Sequence, residues 1–573
     1  MVFTVIFIFL LTTAQSLACQ LFDPDESRPY STTVCTNISS LSDIPVSSKL
    51  ENFEEYLEIT QSTISTIPRF AFTRFSTIDK LFMTQNHIKE ISPGAFNPLL
   101  NLKELHLDLN ELTEISEGLF NSLKSLVILN LANNKINKVD AKAFIGLEVL
   151  TEINLENNEI KEIEKHMFDS QKQLQLLDLS GNPLEQFSGE GLSSLSALIL
   201  AETALTSFEE DLKHLKMEIL NLSSSSLETV DFSRFPKVEK VYLSNNKIVS
   251  ISNLESLDSS YITLDNNQIA TITGTFNDVS FVTLNHNRLE AVPNTLFNDS
   301  ASVRFIDLSS NLIATIEKDA FRNLSVLQIL HLEHNNITEI HPKLFVDLFE
   351  LKYLDLSYNN IQYLQFGIFN NLLQLKVLNI SDNKLKSLHE NGFLAVISLE
   401  EILFHNNQIE YLDVKTLFQY KGQLKKISLN NNAWDCEDLA ETFTALINRS
   451  VVLDGLSEEG ENFHGIACSS KKENFWEQSE MSKFFNDDFK NSKFFQYFEK
   501  DYKSTGFFKL LHDYKNSDTR TEKLVSGDVS VAGSTNTILV FSCCLQVMIV
   551  FLLLLKFFIK NRRYDARSNE RNI

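Results

Sequence analysis

The sequence is poor in cysteine and in positive charge. Only six cysteines occur in 573 residues, and four of them fall into two well-separated pairs, so the chain is not a small scaffold held together by many disulfides. Lysine and arginine number 51 against 75 aspartates and glutamates, which gives a formal net charge of −24. This balance disfavours nucleic acid, heparin-like polymers and anionic lipid as general partners, and it favours a basic protein partner.

The sequence also lacks the motifs of common enzymes. No G-x-S-x-G, H-E-x-x-H, C-x-x-C or G-x-x-x-x-G-K-[ST] pattern occurs, and each acidic or histidine cluster falls at an ordinary position of the repeat described below. We therefore expect a protein that is not an enzyme, with no catalytic residue, no cofactor and no metal ion.

Long apolar runs are confined to the two ends of the chain. Residues 1–18 are uncharged and end in small residues at the positions read by signal peptidase, so we expect a cleaved signal peptide and a mature chain that begins at Cys19. Residues 537–559 are apolar over the length of a helix that spans a bilayer. Basic residues follow at once in the tail, 560–573, so the positive-inside rule predicts a type I single-pass protein of the plasma membrane with its amino terminus outside.

An apolar pattern recurs along most of the chain between these ends. The unit is L-x-x-L-x-L-x-x-N-x-L, as in Leu102, Leu105, Leu107, Asn110 and Leu112. Its third apolar position recurs every 24 residues from Ile59 to Leu179 and from Leu284 to Phe404, and every 20 to 22 residues in between. We count seventeen repeats, which indicates a solenoid built by stacking.

The pattern resembles extracellular leucine-rich-repeat proteins of the 24-residue subclass, such as Toll-like receptor ectodomains and insect adhesion and immune proteins. The resemblance covers residues 53–470 approximately. It implies an α/β fold, a curved horseshoe with a parallel β-sheet on its concave face. It also implies an internal ladder of asparagines and a buried spine of phenylalanines. The predicted ladder is Asn86, Asn110, Asn134, Asn158, Asn182, Asn246, Asn267, Asn287, Asn311, Asn335, Asn359, Asn383, Asn407 and Asn432, and the predicted spine is Phe72, Phe96, Phe120, Phe144, Phe168, Phe297, Phe321, Phe345, Phe369 and Phe393.

The repeats between about 188 and 292 are irregular. They are shorter, most of them lose the spine phenylalanine, and Thr203 and Ser225 replace the ladder asparagine. A shorter return path behind an unchanged strand would alter the curvature there and separate two regular arms. Sequence drift without a structural role is the alternative.

The resemblance also divides the chain into parts. Residues 19–52, with the pair Cys19 and Cys35, form an amino-terminal cap before the repeats, 53–431. Residues 432–470 form the carboxy-terminal cap, and its family motif departs from the usual pattern because Asp438 replaces the second cysteine, which leaves one disulfide, Cys436 to Cys468. An aromatic-rich stalk and linker, 471–536, then lead to the membrane helix. The fourteen-residue tail contains no Toll-like signalling domain.

The outward positions of the strands are where we expect a ligand to bind. Over six successive repeats, the residue at one such position is aromatic or aliphatic, and exposed apolar surface of this kind is typical of protein contacts, although such residues also favour strands by propensity. The predicted ligand-binding residues are Tyr242, Tyr261, Phe281, Phe305, Asp307, Ile329, His331, Glu333, His334, Tyr353, Asp355, Tyr358 and Val377.

Asp307, His331 and Asp355 lie at equivalent positions of three neighbouring strands, with Glu333 and His334 beside them. Such a group is compatible with a divalent metal or with binding that responds to endosomal pH. A solvated ladder of oppositely charged pairs across strands is the alternative, and we assign no metal to it.

Seven N-x-S/T sequons predict a glycoprotein. They are Asn37, Asn221, Asn298, Asn323, Asn336, Asn379 and Asn448. Asn221 and Asn379 fall at outward strand positions, so glycans there would leave the span from about 240 to 358 open.

Three functions are compatible with the sequence. The first is a receptor or co-receptor for an extracellular protein ligand, in innate immune or developmental recognition, that relies on a partner for signalling. The second is an adhesion protein that binds a copy of itself or another leucine-rich-repeat protein, as a homodimer or heterodimer. The third is an organiser that acts sideways in its own membrane through the stalk and anchor.

Overall fold

The computed structural model describes residues 19–22, 32–44, 56–208, 212–365, 367–387, 396–412, 423–447, 451–454, 462–463 and 466–469. All of them belong to one compact unit, Met1–Glu473. The predicted signal peptide, stalk, membrane helix and tail lie outside the described residues. Within the described residues, no helix is both long and apolar enough to cross a membrane.

Every predicted repeat contributes one short strand to a single twenty-stranded sheet. Alternate residues of a strand point to opposite sides, so the L-x-L leucines are buried and the residues between them face outward. In the strand Phe305–Asp307, Ile306 is fully buried while its two neighbours are only partly buried. The strands of this sheet are Cys19–Phe22, Thr32–Thr36, Tyr56–Thr60, Lys80–Phe82, Glu104–His106, Ile128–Asn130, Glu152–Asn154, Leu176–Asp178, Ala197–Ile199, Lys216–Asn221, Lys237–Tyr242, Tyr261–Thr263, Phe281–Thr283, Phe305–Asp307, Ile329–His331, Tyr353–Asp355, Val377–Asn379, Glu401–Leu403, Lys426–Ser428 and Val452–Asp454.

The repeat strands pair in parallel and in register, and from Tyr56–Thr60 to Lys426–Ser428 the chain completes about 16 turns. The return segments contain turns with hydrogen bonds from residue i+3 to residue i, such as Leu99 N to Phe96 O at 2.9 Å, in place of α-helical turns. The described repeats confirm the predicted solenoid and parallel sheet, while the one α-helix of the described residues lies in the carboxy-terminal cap. The repeats form a β-solenoid, because the return path of a 24-residue repeat is too short to hold a helix of several turns.

The return segments carry short elements of their own. Small parallel sheets form where extended pieces of adjacent repeats meet, and 3-10 helices occur at four places. The short strands are Thr66–Ile67, Glu90–Ile91, Glu114–Ile115, Lys138–Val139, Glu162–Ile163, Gln186–Phe187, Thr229–Asp231, Ser250–Ser252, Thr271–Ile272, Ala291–Val292 and Thr315–Ile316, and the 3-10 helices are Leu41–Asp43, Thr73–Phe75, Phe232–Arg234 and Leu254–Ser256.

The asparagine ladder is confirmed. The Asn335 side chain donates from Nδ2 to Leu308 O at 3.0 Å in the preceding repeat and to Leu332 O at 3.1 Å in its own, and its Oδ1 accepts from Ile313 N at 3.0 Å. The ladder thus satisfies backbone groups that the turn leaves without partners. Where asparagine is missing, the hydroxyls of Thr203 and Ser225 bond to each other at 2.9 Å and continue the ladder.

The phenylalanine spine is buried throughout the described residues, and its rings stack, for example Phe72 on Phe96 with centroids 5.7 Å apart. Phe393 lies outside the described residues. The spine also persists through the irregular centre. Phe276 is fully buried and stacks on Phe297 at 5.5 Å, and the 3-10 helices of the centre bury Phe232 and Leu254.

The strands of the centre do not stay unchanged, as the sequence analysis assumed. Lys216–Asn221 and Lys237–Tyr242 are six residues long, where most repeat strands have three. Their pairing begins at Lys216 with Lys237, because the shorter return path brings the residues before each L-x-L motif into the sheet.

Both ends of the sheet are covered. Cys19–Phe22 pairs antiparallel with Thr32–Thr36, and a disulfide joins Cys19 to Cys35. At the other end, Cys436 begins the one α-helix of the described residues, Cys436–Ile447, and bonds to Cys468. Trp434 is buried beneath this helix cap, and the hairpin strands Asn462–Phe463 and Ile466–Ala467 follow.

Candidate functional site

The outward surface of the large sheet, which we call the sheet face, carries the predicted ligand-binding residues. Strand register places Tyr261, Phe281, Phe305, Ile329 and Tyr353 directly beside one another. Asp307, His331 and Asp355 form the adjacent column in the same register. The sequence therefore located two neighbouring columns of one surface.

Aromatic side chains on this surface form a continuous series of ring contacts across six strands, which we call the aromatic run; the rings are stacked from Tyr261 to Phe305 and tilted at the other contacts. Its members are Tyr242, Tyr261, Phe281, Phe305, His331 and Tyr353. The centroids of Tyr261 and Phe281 are 4.3 Å apart with planes within 5°, and those of Phe281 and Phe305 are 4.4 Å apart. His331, rather than Ile329, continues the run, with centroid distances of 5.8 Å to Phe305 and 5.0 Å to Tyr353.

The side chains of the aromatic run are partly buried, not fully exposed. Each ring covers its neighbour, so the rings hold one another in place and leave their edges toward solvent. An apolar surface whose side chains are already ordered loses less conformational entropy when a partner binds.

Polar contacts fix the second half of the run. Asp355 is buried, and its carboxylate accepts hydrogen bonds from Tyr353 Oη at 3.1 Å, from Ser357 N at 2.9 Å and from Asn379 Nδ2 at 2.9 Å. His331 Nδ1 lies 3.1 Å from Glu333 Oε1. Asp355 is thus a structural anchor for Tyr353, and the ion pair of His331 with Glu333 lies within one repeat, not across strands.

The charges around His331 and Tyr353 shift both pKa values. Burial alone would lower the pKa of His331, but its hydrogen bond to Glu333 and the charges of Glu333, Asp307 and Asp355 outweigh burial and raise it above the ordinary value. Burial and the adjacent Asp355 raise the pKa of Tyr353. No group of three or more His, Cys, Asp or Glu among the described residues is placed to hold a metal ion.

His334 and Tyr358 form a second, exposed aromatic pair beside the run, with centroids 4.1 Å apart and planes within 9°. Both residues have positive φ, 55° and 52°. A bulky residue in the left-handed region is strained, and most repeats have a small or polar residue there, such as Asn133. Leu109 and His286 have positive φ at the same position of their repeats, so the stacking of the two rings is what distinguishes His334 and Tyr358.

Comparison with known proteins identifies the repeats. The leucine rich repeat family model matches residues 55–108, 100–160, 129–184, 148–205, 279–337, 325–367 and 350–409. The chain is a leucine-rich-repeat protein. The unmatched interval between residues 206 and 278 lies within the irregular centre.

This leucine-rich-repeat protein is 30% identical over 115 residues to the human leucine-rich repeats and immunoglobulin-like domains protein 1, a match that covers 18% of this chain and 10% of that protein. The chain therefore spans only a tenth of that relative's length. A chain of the glycosylated Toll–Spatzle complex of Drosophila is similar at a TM-score of 0.56 and 20% identity, over 80% of this chain and 71% of that one. A leucine-rich-repeat protein of Leptospira interrogans gives 0.50 and 20%, over 70% and 95%. At these identities the likeness concerns the fold.

The sequence analysis missed a second aromatic stack at the first repeats of the protein. Tyr56 stacks on Phe82 at 4.5 Å, and Phe82 stacks on His106 at 4.1 Å. Burial lowers the pKa of His106. The sequence contained a signal for this stack, because the three residues lie at outward positions of consecutive strands. The stack was overlooked because it crosses from one column of outward positions to the next.

Carboxylates lie on or just after the strands next to this second stack, and Asp108 and Glu156 accept hydrogen bonds from asparagine side chains. Burial raises the pKa of Asp108 and Glu152, and burial together with Asp178 and Glu202 raises that of Glu156. The sheet face is therefore acidic in both arms of the leucine-rich-repeat protein.

The sequons differ in their surroundings. Asn37, Asn298, Asn323 and Asn336 are exposed, and Asn448 lies outside the described residues. Asn221 and Asn379 lie on the sheet face at strand ends, as predicted, and are partly buried. Asn379 already donates its amide to Asp355.

Proposed function

We propose that this leucine-rich-repeat protein is a cell-surface glycoprotein that binds an extracellular protein through the aromatic run and acts as a receptor or co-receptor. The observation that supports this proposal most is the aromatic run, whose six rings contact one another across the sheet face. Exposed apolar surface with fixed aromatic side chains is typical of protein contacts.

The acidic sheet face and the lack of enzyme motifs favour binding over catalysis. The apolar segments at the two ends of the sequence support entry to the secretory pathway and anchoring, with the amino terminus outside. The Toll–Spatzle complex of Drosophila contains a chain of similar fold together with a protein partner, and this likeness supports a protein ligand in innate immune or developmental recognition. Adhesion, to a second copy or to another leucine-rich-repeat protein, is the second candidate, because the same face can serve either role.

Vesicles that carry the full-length chain test both candidates. They are applied to cells that express the chain and to matched cells that do not. Selective binding to expressing cells supports adhesion between copies, and equal binding to both supports a separate surface ligand. Binding to neither supports a soluble ligand or the third function, lateral organisation in the membrane.

Variants test the role of the aromatic run in the same assay. The triple variant Phe281→Ala, Phe305→Ala and Tyr353→Ala is expected to abolish binding. A matched control replaces Phe349, Leu373 and Ile397 by alanine, because these three are large, apolar and 46%, 46% and 53% exposed, but lie on the return segments. Binding that survives the first variant would contradict our proposal for the aromatic run.

A further inference from the structure

The edges of the aromatic run, not its faces, are available to a partner. Phe281 is stacked on both faces, by Tyr261 at 4.3 Å and by Phe305 at 4.4 Å, so no cation of a partner can stack on this central ring. A partner must therefore bring apolar side chains to the run itself.

Negative charge lies along one side of the run. Asp265, Asp307 and Glu333 follow the run on successive or nearby strands, and all three are partly buried. Among the described residues, none of the three forms an ion pair with lysine or arginine. From Tyr261 to Val377 the outward positions of the strands contain no lysine or arginine, so His331 is the one titratable base among them. Basic residues along one side of the partner would neutralise the charges of these three carboxylates.

The spacing of the strands selects the form of the partner. Adjacent strands lie about 4.8 Å apart, so the six strands of the run span about 24 Å. Apolar positions on one side of an α-helix recur about every 5.4 Å. Over five steps they fall out of line with the strands by about 3 Å in total, which is less than one strand spacing. Residues on one side of an extended segment recur about every 6.7 Å. Over the same five steps they fall out of line with the strands by about 9 Å, which is nearly two strand spacings.

We propose that the aromatic run and the carboxylates of Asp265, Asp307 and Glu333 bind an amphipathic helix of a partner protein, about 16 residues long, with an apolar stripe and a basic flank. This inference rests on the proposed function, since it names the partner chemistry of the same site. Apolar residues of the helix contact one ring per strand, and the basic flank pairs with the carboxylates.

Four labelled peptides test the inference against full-length chain in a non-ionic detergent, with protein-free micelles as the blank. The first is an 18-residue helical peptide with leucine at heptad positions and lysine or arginine on one flank. The second carries glutamate on that flank, the third has the composition of the first in scrambled order, and the fourth alternates leucine and lysine in an extended design. We expect the first peptide to bind at least tenfold more tightly than the other three.

Two variants separate the contributions. Asp307→Asn with Glu333→Gln is expected to weaken the basic helical peptide about tenfold and, because it removes like-charge repulsion, to strengthen the acidic peptide. The matched control, Glu152→Gln with Glu156→Gln, changes two carboxylates on the same sheet face in the other arm and should have no effect. Acidification should weaken binding too, because protonated His331, which faces Asp307, Glu333, Tyr353 and Asp355, competes for the same carboxylates.

Equal binding of the basic and acidic helices, or of the extended and helical peptides, would overturn the inference, as would an unchanged affinity of the carboxylate variant. The vesicle assay distinguishes a failure of this inference from a failure of the proposed function. If binding of vesicles depends on the aromatic run while no peptide binds selectively, the proposed function stands and the helical partner is rejected.

Discussion

At the scale of single residues, position within the repeat decides the role of an asparagine. Asn134 is buried and donates to Leu107 O at 3.0 Å, and its Oδ1 accepts from Leu112 N at 3.1 Å, whereas Asn137 in the same repeat is exposed. One side chain completes the backbone hydrogen bonding of two repeats, while the other faces water.

We therefore expect Asn134→Ala to lower the free energy of unfolding by about 1 to 3 kcal/mol, because it leaves buried backbone groups without partners. Asn137→Ala, as the control, should change it by less than about 0.5 kcal/mol. Urea unfolding followed by circular dichroism measures both. Similar losses for the two variants would contradict the ladder's structural role.

His331 should make the stability of the solenoid depend on pH. Its pKa in the folded chain is raised, so protonation favours the folded state. The stabilisation is complete below the ordinary pKa of 6.5 and is lost as the pH rises through the raised value. The Tm difference between the native chain and His331→Gln should thus grow from pH 8 to pH 6. His286→Gln, at an exposed histidine, provides the control, and a difference independent of pH would refute the prediction.

At the scale of elements, the sequence predicted the positions of the strands and of most spine residues. It did not predict how strand length and spine position change in the irregular centre. Strand positions follow from the L-x-L motif, because alternation fixes which residues are buried. Phe276 was overlooked because it comes twelve residues after Leu264, and the regular repeats place the spine thirteen residues after that position. The lengthened strand Lys216–Asn221 and the ring contacts through His331 depend on neighbouring repeats, which a pattern read along one repeat does not contain.

The recovered spine residue gives a prediction. Phe276→Ala should lower the free energy of unfolding by about 3 to 5 kcal/mol, because it removes a fully buried ring and leaves a cavity beside Phe297. Phe349→Ala, at a phenylalanine that is 46% exposed, should cost less than about 0.5 kcal/mol. Urea unfolding compares them, and a small effect at Phe276 would show that the spine is interrupted in the centre.

At the scale of the whole molecule, the repeat pattern predicted the solenoid and its parallel sheet, and the resemblance of the two ends to the family's caps predicted both disulfides. The pattern records what is buried, and burial is nearly the same in every repeat. Binding is decided by outward residues such as Phe281 and Glu333, which no packing rule constrains. The sequence therefore located the candidate surface, while the ring contacts that order it follow from the structure and its ligand from experiment.

The orientation of the chain is a prediction of its own. An epitope tag after Cys19 should be stained by antibody on intact cells, and a tag after Ile573 only after permeabilisation, because residues 537–559 are expected to span the membrane with the basic residues inside. A version without residues 537–573 should appear in the medium, which controls for secretion. Staining of both tags on intact cells would contradict the anchor.

The in-register parallel strands have a mechanical consequence. Each repeat bonds only to its two neighbours, so a pull on the two capped ends of the sheet loads the hydrogen bonds of one strand pair at a time instead of shearing many together. Under tension the solenoid should peel open in small steps, each releasing the length of one repeat, and should yield at low force. In the proposed role at the cell surface, such a solenoid would lengthen between two cells before its contact breaks.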